Sequence, residues 1–157
     1  SGWSTAFAWS PDGESLAVCG DRVEILARCG GEVRSAIPIV RSVALAWHPR
    51  GDTLAVADHG MRIHLCSLAT ASATRVLRGH TRTVRSLAWH PNGERLASAG
   101  NDHRVRLWEP DGGHEVLTLH QGADVFAVAW HRDGETLLSA SEDGVVRSWS
   151  AKPVPRK

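Results

Sequence analysis

A five-residue phrase recurs four times: Trp9-Ser10-Pro11-Asp12-Gly13, Trp47-His48-Pro49-Arg50-Gly51, Trp89-His90-Pro91-Asn92-Gly93 and Trp130-His131-Arg132-Asp133-Gly134. Its tryptophans lie 38, 42 and 41 residues apart. Two more, Trp108 and Trp149, each follow 19 residues after the tryptophan of their own repeat. Six of the seven tryptophans thus fall into two periodic classes and Trp3 is left over, in a chain with two Phe and no Tyr. Indole therefore carries nearly all the aromatic burial. A period near 41 residues means an array of equal structural units.

Each unit reads as all-β. The turn within the phrase separates two short runs rich in Val, Leu and Ala, which is hairpin chemistry. In the third unit, Val84–Trp89 reads as strand a, Arg95–Ala99 as b, Arg104–Trp108 as c and Glu115–Leu119 as d. Asn101-Asp102 turns b into c, and Pro110-Asp111-Gly112-Gly113 turns c into d. No stretch of 12 residues keeps a helical period without Pro or Gly interrupting it. Four short strands in about 41 residues make one blade of a β-propeller.

The first three units supply four strands each. The fourth ends at strand c, because Pro153 and Pro155 exclude a central d strand there. Ser1–Ser4 leave too little chain for a d strand ahead of the first strand a. The expected total is 15 strands, in blades of four, four, four and three. The expected organisation is a propeller segment over 1–150, with repeats at about 3–39, 40–79, 80–120 and 121–150, and a Pro/Lys-rich tail over 151–157.

These residues resemble the WD-repeat β-propeller family. The third repeat matches most fully: Gly79-His80, then Trp89-His90-Pro91-Asn92-Gly93, Leu96-Ala97-Ser98, Asp102 and Val105-Arg106-Leu107-Trp108. The fourth matches through Leu137-Leu138-Ser139, Asp143-Gly144 and Val145–Trp149. Glu109 and Ser150 replace the Asp that names the repeat. In the second repeat Val56, Gly60 and Cys66 stand in place of Ser, Asp and Trp. The first has Leu26 at the Trp position and a b–c turn two residues shorter.

The resemblance implies a buried hydrogen-bond chain of His80, Ser98, Asp102 and Trp108, with a counterpart of Ser139, Asp143 and Trp149 in which Gln121, next to His120, replaces the His. Ser, His and Asp are also the parts of an acyl-transfer triad. No G-x-S-x-G elbow surrounds Ser98, however, and a strand-interior Ser has no evident oxyanion donors, so no catalytic residue is expected. The resemblance further implies rings of seven or eight blades, with the last blade often completed by the N-terminal end of the domain. Four blades therefore point to an eight-bladed C2 homodimer, to half of a longer propeller, or to a self-closed four-blade ring, in that order.

Other constellations reduce to structure. His48, His90 and His131 repeat in one phase, but sheets pack roughly 10 Å apart while metal–imidazole bonds are about 2 Å. They read as a–b turn residues, and His59 and His64 lack a third convergent ligand. No metal and no cofactor is expected. Cys19, Cys29 and Cys66 are odd in number and lack C-x-x-C spacing. Cys19 and Cys66 read as strand-buried, Cys29 as near a turn, and a reducing cytoplasm follows. No run of 18 apolar residues and no leader pattern occurs, so no membrane contact is expected.

Charge is balanced overall, with 18 basic and 17 acidic residues. Locally, Arg75, Arg78, Arg82, Arg85, Arg95, Arg104 and Arg106 face only Glu94 and Asp102, a net of +5, and Lys152, Arg156 and Lys157 follow in the tail. Arg forks suit phosphate or carboxylate partners. Alternating strand arginines are otherwise solvent-facing, and aromatics free to stack on bases are absent, which argues against nucleic acid.

The function expected is a non-catalytic protein–protein interaction scaffold that self-associates. By the resemblance, contacts come from Thr83, Arg85, Asn101, Asp124, Phe126 and Glu142, with Phe126 the least ordinary because aromatics dominate interface hot spots. The alternatives are a regulatory segment of a larger signalling protein and an Arg-rich platform for phosphorylated or nucleic-acid ligands.

Overall fold

Alternating small and branched apolar residues give every unit one face to bury on each side of a sheet. The computed structural model describes residues 6–150. Trp3, the basic residues of the 151–157 tail and the two prolines held to exclude a d strand lie outside the described residues.

Blade 1 consists of β1 (Phe7–Trp9), β2 (Ser15–Cys19), β3 (Val23–Ala27) and β4 (Val33–Ile37). Blade 2 holds β5 (Ser42–Trp47), β6 (Thr53–Asp58), β7 (Ile63–Ser67) and β8 (Ser72–Leu77). Blade 3 holds β9 (Val84–Trp89), β10 (Leu96–Gly100), β11 (Arg104–Glu109) and β12 (His114–His120). Blade 4 holds β13 (Val125–Trp130), β14 (Thr136–Ser141) and β15 (Val146–Ser150). Each is an antiparallel meander in chain order, three of four strands and one of three among the described residues.

Strand b of blade 3 starts one residue later than expected. The Arg95 carbonyl closes the a–b turn by accepting the His90 N–H at 2.9 Å. Strand c extends to Glu109 and strand d gains a residue at each end.

Register explains the degenerate units. Trp108 lies opposite Leu96 and Trp149 opposite Leu137; Cys66 and Leu26 hold the same place opposite Leu54 and Leu16. The b–c turn of blade 1 joins the pair Cys19–Val23, where blade 3 has the wider-spaced pair Ala99–Val105.

The core is three clusters, one per seam. Ala17, Cys19 and Val23 of blade 1 meet Leu45, Leu54 and Val56 of blade 2. Ala55, Ala57 and Ile63 meet Leu87, Leu96 and Trp108. Ala97, Ala99 and Val105 meet Val125, Val128 and Leu137. Among the described residues, the extensive strand contacts between blades join 1 to 2, 2 to 3 and 3 to 4. The described array is open.

Polar atoms repeat across these seams too. Trp47 Nε1 donates to the Ala8 carbonyl at 2.9 Å, and Trp89 Nε1 to the Ala46 carbonyl at 3.1 Å. Ala precedes the phrase Trp in all four units, and its small side chain lets the neighbouring indole approach. Trp130 Nε1 is buried without a hydrogen-bond partner. His48 Nε2 reaches the Gly93 carbonyl at 3.2 Å, and His90 Nε2 the Gly134 carbonyl at 2.8 Å. Each His also meets the next Trp edge to face, with centroids 4.6 and 4.7 Å apart.

The glycine that receives the histidine has no room for a side chain. Gly93 sits at φ +81°, and a Cβ there would overlap the His48 ring. Gly13 holds the same turn at φ +73° with nothing within 4 Å. Gly93→Ala should therefore cost about 2–4 kcal/mol, combining left-handed strain with overpacking, whereas Gly13→Ala should cost about 1–2 kcal/mol from strain alone. Urea midpoints of the two variants check the difference; equal losses would mean that the histidine contact contributes nothing.

Candidate functional site

Blade 3 carries a chain of four buried side chains from four elements. Trp108 of β11 donates its indole N–H to Ser98 Oγ of β10 at 2.8 Å. Ser98 Oγ lies 2.7 Å from His80 Nε2, and His80 Nδ1 lies 2.9 Å from both oxygens of Asp102. With Ser98 donating to Nε2 and Nδ1–H donating to Asp102, every member is satisfied. Burial raises the Asp102 carboxyl, but the hydrogen bonds from His80 and the Thr81 N–H, with the charge of Arg106, outweigh it. Its pKa falls below the ordinary carboxylate value. The order Ser–His–Asp matches a hydrolase triad, yet Ser98 is completely buried and its oxygen already accepts the indole proton. No substrate carbonyl reaches it.

Blade 4 solves the same problem with an amide. Trp149 donates to Ser139 Oγ at 2.8 Å, and Ser139 donates to Gln121 Oε1 at 2.7 Å. Gln121 Nε2 donates to Ser141 Oγ at 3.0 Å, and Ser141 donates to Asp143 at 2.5 Å. Asp143 thus joins through Ser141, a link the sequence reading did not contain. An amide carries both a donor and an acceptor, so Gln121 replaces the imidazole only with a hydroxyl to relay it onward.

Blade 2 buries a different cluster. Asp58, at the register position of Gly100 and Ser141, binds Arg62 Nε at 2.8 Å and His64 Nε2 at 2.9 Å. Burial raises its carboxyl, and His64 and Arg62 more than reverse the rise. Sequence reasoning missed Asp58; an Asp ending strand b with Arg four residues on was the available signal.

These anchors stiffen one face of the array, formed by the d–a loops, b–c turns and starts of strand a. Asn101 N–H donates to the Thr83 carbonyl and Glu142 N–H to the Asp124 carbonyl, each at 2.9 Å. His103 Nε2 lies 3.1 Å from Asp124, tying blade 3 to blade 4. The Arg85 guanidinium sits 5.5 Å over the centre of the exposed Phe126 ring. Val43, Val84, Arg85 and Phe126 line a cavity of about 310 Å³ on this face. The structure thus joins Thr83 to Asn101, Asp124 to Glu142 and Arg85 to Phe126. Three of the four non-glycine residues with positive φ, Arg41, Met61 and His103, lie on the same face.

The arginines do not form one solvent face. Arg106 is buried and ion-paired to Glu115, with Nη2 3.6 Å from Asp102, which corrects the expectation that strand arginines point to solvent. Its strand position faces the carboxylates of the network. Arg75 and Arg95 lie toward the opposite face, at the carbonyls of Gly112 and Glu94. His48 and His90 are more than turn residues, since they bridge seams. Cys19 and Cys66 are buried within strands, burial pushing the Cys66 thiol up to about 12, while Cys29 is exposed. Among the described residues no three His, Cys, Asp or Glu side chains converge, and no helix is long and apolar enough to cross a membrane.

Comparison with known families matches the model for the WD domain, G-beta repeat, at residues 71–109 and 113–150. The first match spans β8–β11 and the second β12–β15, so each repeat begins in the outer strand of one blade and ends inside the next. No curated protein matches the chain.

Proposed function

The chain belongs to the WD-repeat family, whose repeats generally mediate protein–protein contacts without catalysis, and we propose that it is a non-catalytic, self-associating interaction scaffold. Its partner-binding face is formed by Thr83, Arg85, Asn101, Asp124, Phe126 and Glu142. The observation that carries this reading is Phe126, an exposed aromatic beside a cavity, held under Arg85 on a face of strained but well-anchored loops. Partner recognition sits on such loops while the blades hold them in place. The open array supports self-association, as an eight-bladed C2 homodimer. Three free thiols suit a reducing cytoplasm.

Affinity capture of the wild type and of Phe126→Ala, compared quantitatively at low and high salt, tests the face. Partners should be lost from the variant and retained by the wild type in high salt. Equal recovery by both proteins would sink the reading. Binding that collapses with salt would favour the Arg-rich platform instead.

A further inference from the structure

The two ends of the array expose the two halves of the seam that is closed three times inside it. Facing backward along the chain, Leu45, Leu87 and Val128 are buried at one register position, two residues before the phrase Trp; in blade 1 that position is Phe7, 71% exposed. Trp89 is 9% exposed in its seam, and its blade 1 counterpart Trp9 is 52% exposed. Facing forward, Val23, Ile63 and Val105 are buried where strand c begins, and the blade 4 counterpart Val146 is 65% exposed. Leu138 is likewise exposed at the position of the fully buried Ala55 and Ala97.

The polar atoms follow the same division. His48 and His90 cross to the next blade, while His131, in the same phase, is exposed and pairs only locally, its Nδ1 2.7 Å from Asp133. Gly13 has the positive φ of Gly93 and Gly134 but no imidazole against it. Blade 4 therefore ends in a histidine without a glycine to reach. Blade 1 begins with a glycine and an indole that no histidine covers.

We infer that blade 1 of a second copy docks on blade 4 of the first, head to tail, with His131 against the partner copy's Trp9 and Gly13. His131 Nε2 donates to the Gly13 carbonyl, the Trp9 indole N–H donates to the Ala129 carbonyl, and Phe7 covers Leu138 and Val146. The occupant is a second copy because the exposed set is the complement of the chain's own opposite end, residue type by residue type. Since the two faces lie at opposite ends, two copies close through two identical seams about a two-fold axis. The inference rests on the self-association reading and adds the residues that perform it.

The experiment is light scattering on a column, over a concentration series, of the 157-residue chain and of Trp9→Ala, His131→Ala and Val146→Glu. All three positions are exposed in the single chain, so far-UV circular dichroism should stay unchanged, while the thermal midpoint should fall only as far as the lost association requires. Wild type should run near about 34 kDa, twice the 17.0 kDa chain. Each variant should dissociate at a concentration at least about tenfold higher. Mixing Trp9→Ala with His131→Ala should restore dimer, because the mixed pair keeps one seam intact and concentrates both losses in the other. A dimer indifferent to all three substitutions, or no recovery on mixing, would overturn this seam and leave self-association standing. A folded monomer across the whole series would overturn both.

Discussion

Trp108→Ala should lower the unfolding free energy by about 3–5 kcal/mol, the range for deleting a fully buried large aromatic. Trp108 is 1% exposed and packs in the cluster between blades 2 and 3, so its removal opens a cavity in a seam as well as within a sheet. Ser98 Oγ also loses a donor. Against a total stability of about 5–15 kcal/mol for a domain, that is a large fraction. Trp149→Ala should cost visibly less, because Trp149 is only partly buried. Urea unfolding of both variants, followed by far-UV circular dichroism, checks the order. Equal losses would mean that the blade 3 seam adds nothing beyond the sheet itself.

His80→Ala should cost about 1–3 kcal/mol, because it strands the Ser98 hydroxyl and the Asp102 carboxylate in a buried site. The same substitution should change acid unfolding. A carboxyl whose pKa is lower folded than unfolded contributes stability above the unfolded value, about 3.9 for Asp. That contribution is lost as pH falls through the folded value. Burial raises the Asp102 carboxyl and the His80 hydrogen bond leads the effects that lower it, so His80→Ala should flatten the loss of stability below about pH 4. Stability measured in urea at stepped pH reads this directly. An unchanged acid limb would remove His80 as the cause. A hydrolytic activity that vanished while stability held would overturn the structural role altogether.

Where a pattern is periodic in one unit, the fold was legible. The Trp phrase placed the a–b turns, the second Trp class marked strand c, and the weak first and second units still took the expected register, with Leu26 and Cys66 at the tryptophan position. The site was less legible. Arg85 and Phe126 were each singled out, but their stacking depends on the distance between strands of neighbouring blades. Asp58 was missed because its partners Arg62 and His64 converge only after the b–c turn folds back. Arg106 was read as solvent-facing, since strand alternation alone does not tell which outward residue a neighbouring carboxylate will claim.

The sequence by itself determined the blade: turns and strands follow from residues a few positions apart, whose preferences act before any distant contact exists. Only the tertiary structure decided how blades meet. His48 on Gly93, His90 on Gly134 and Trp47 on Ala8 join atoms roughly one repeat apart, and each pairing depends on the rotation and spacing of whole sheets. The repeat could show that four equivalent histidine-or-serine positions exist. Packing alone reveals that two of them bind the next unit, and that the last, His131, faces outward and pairs only with its own turn at Asp133.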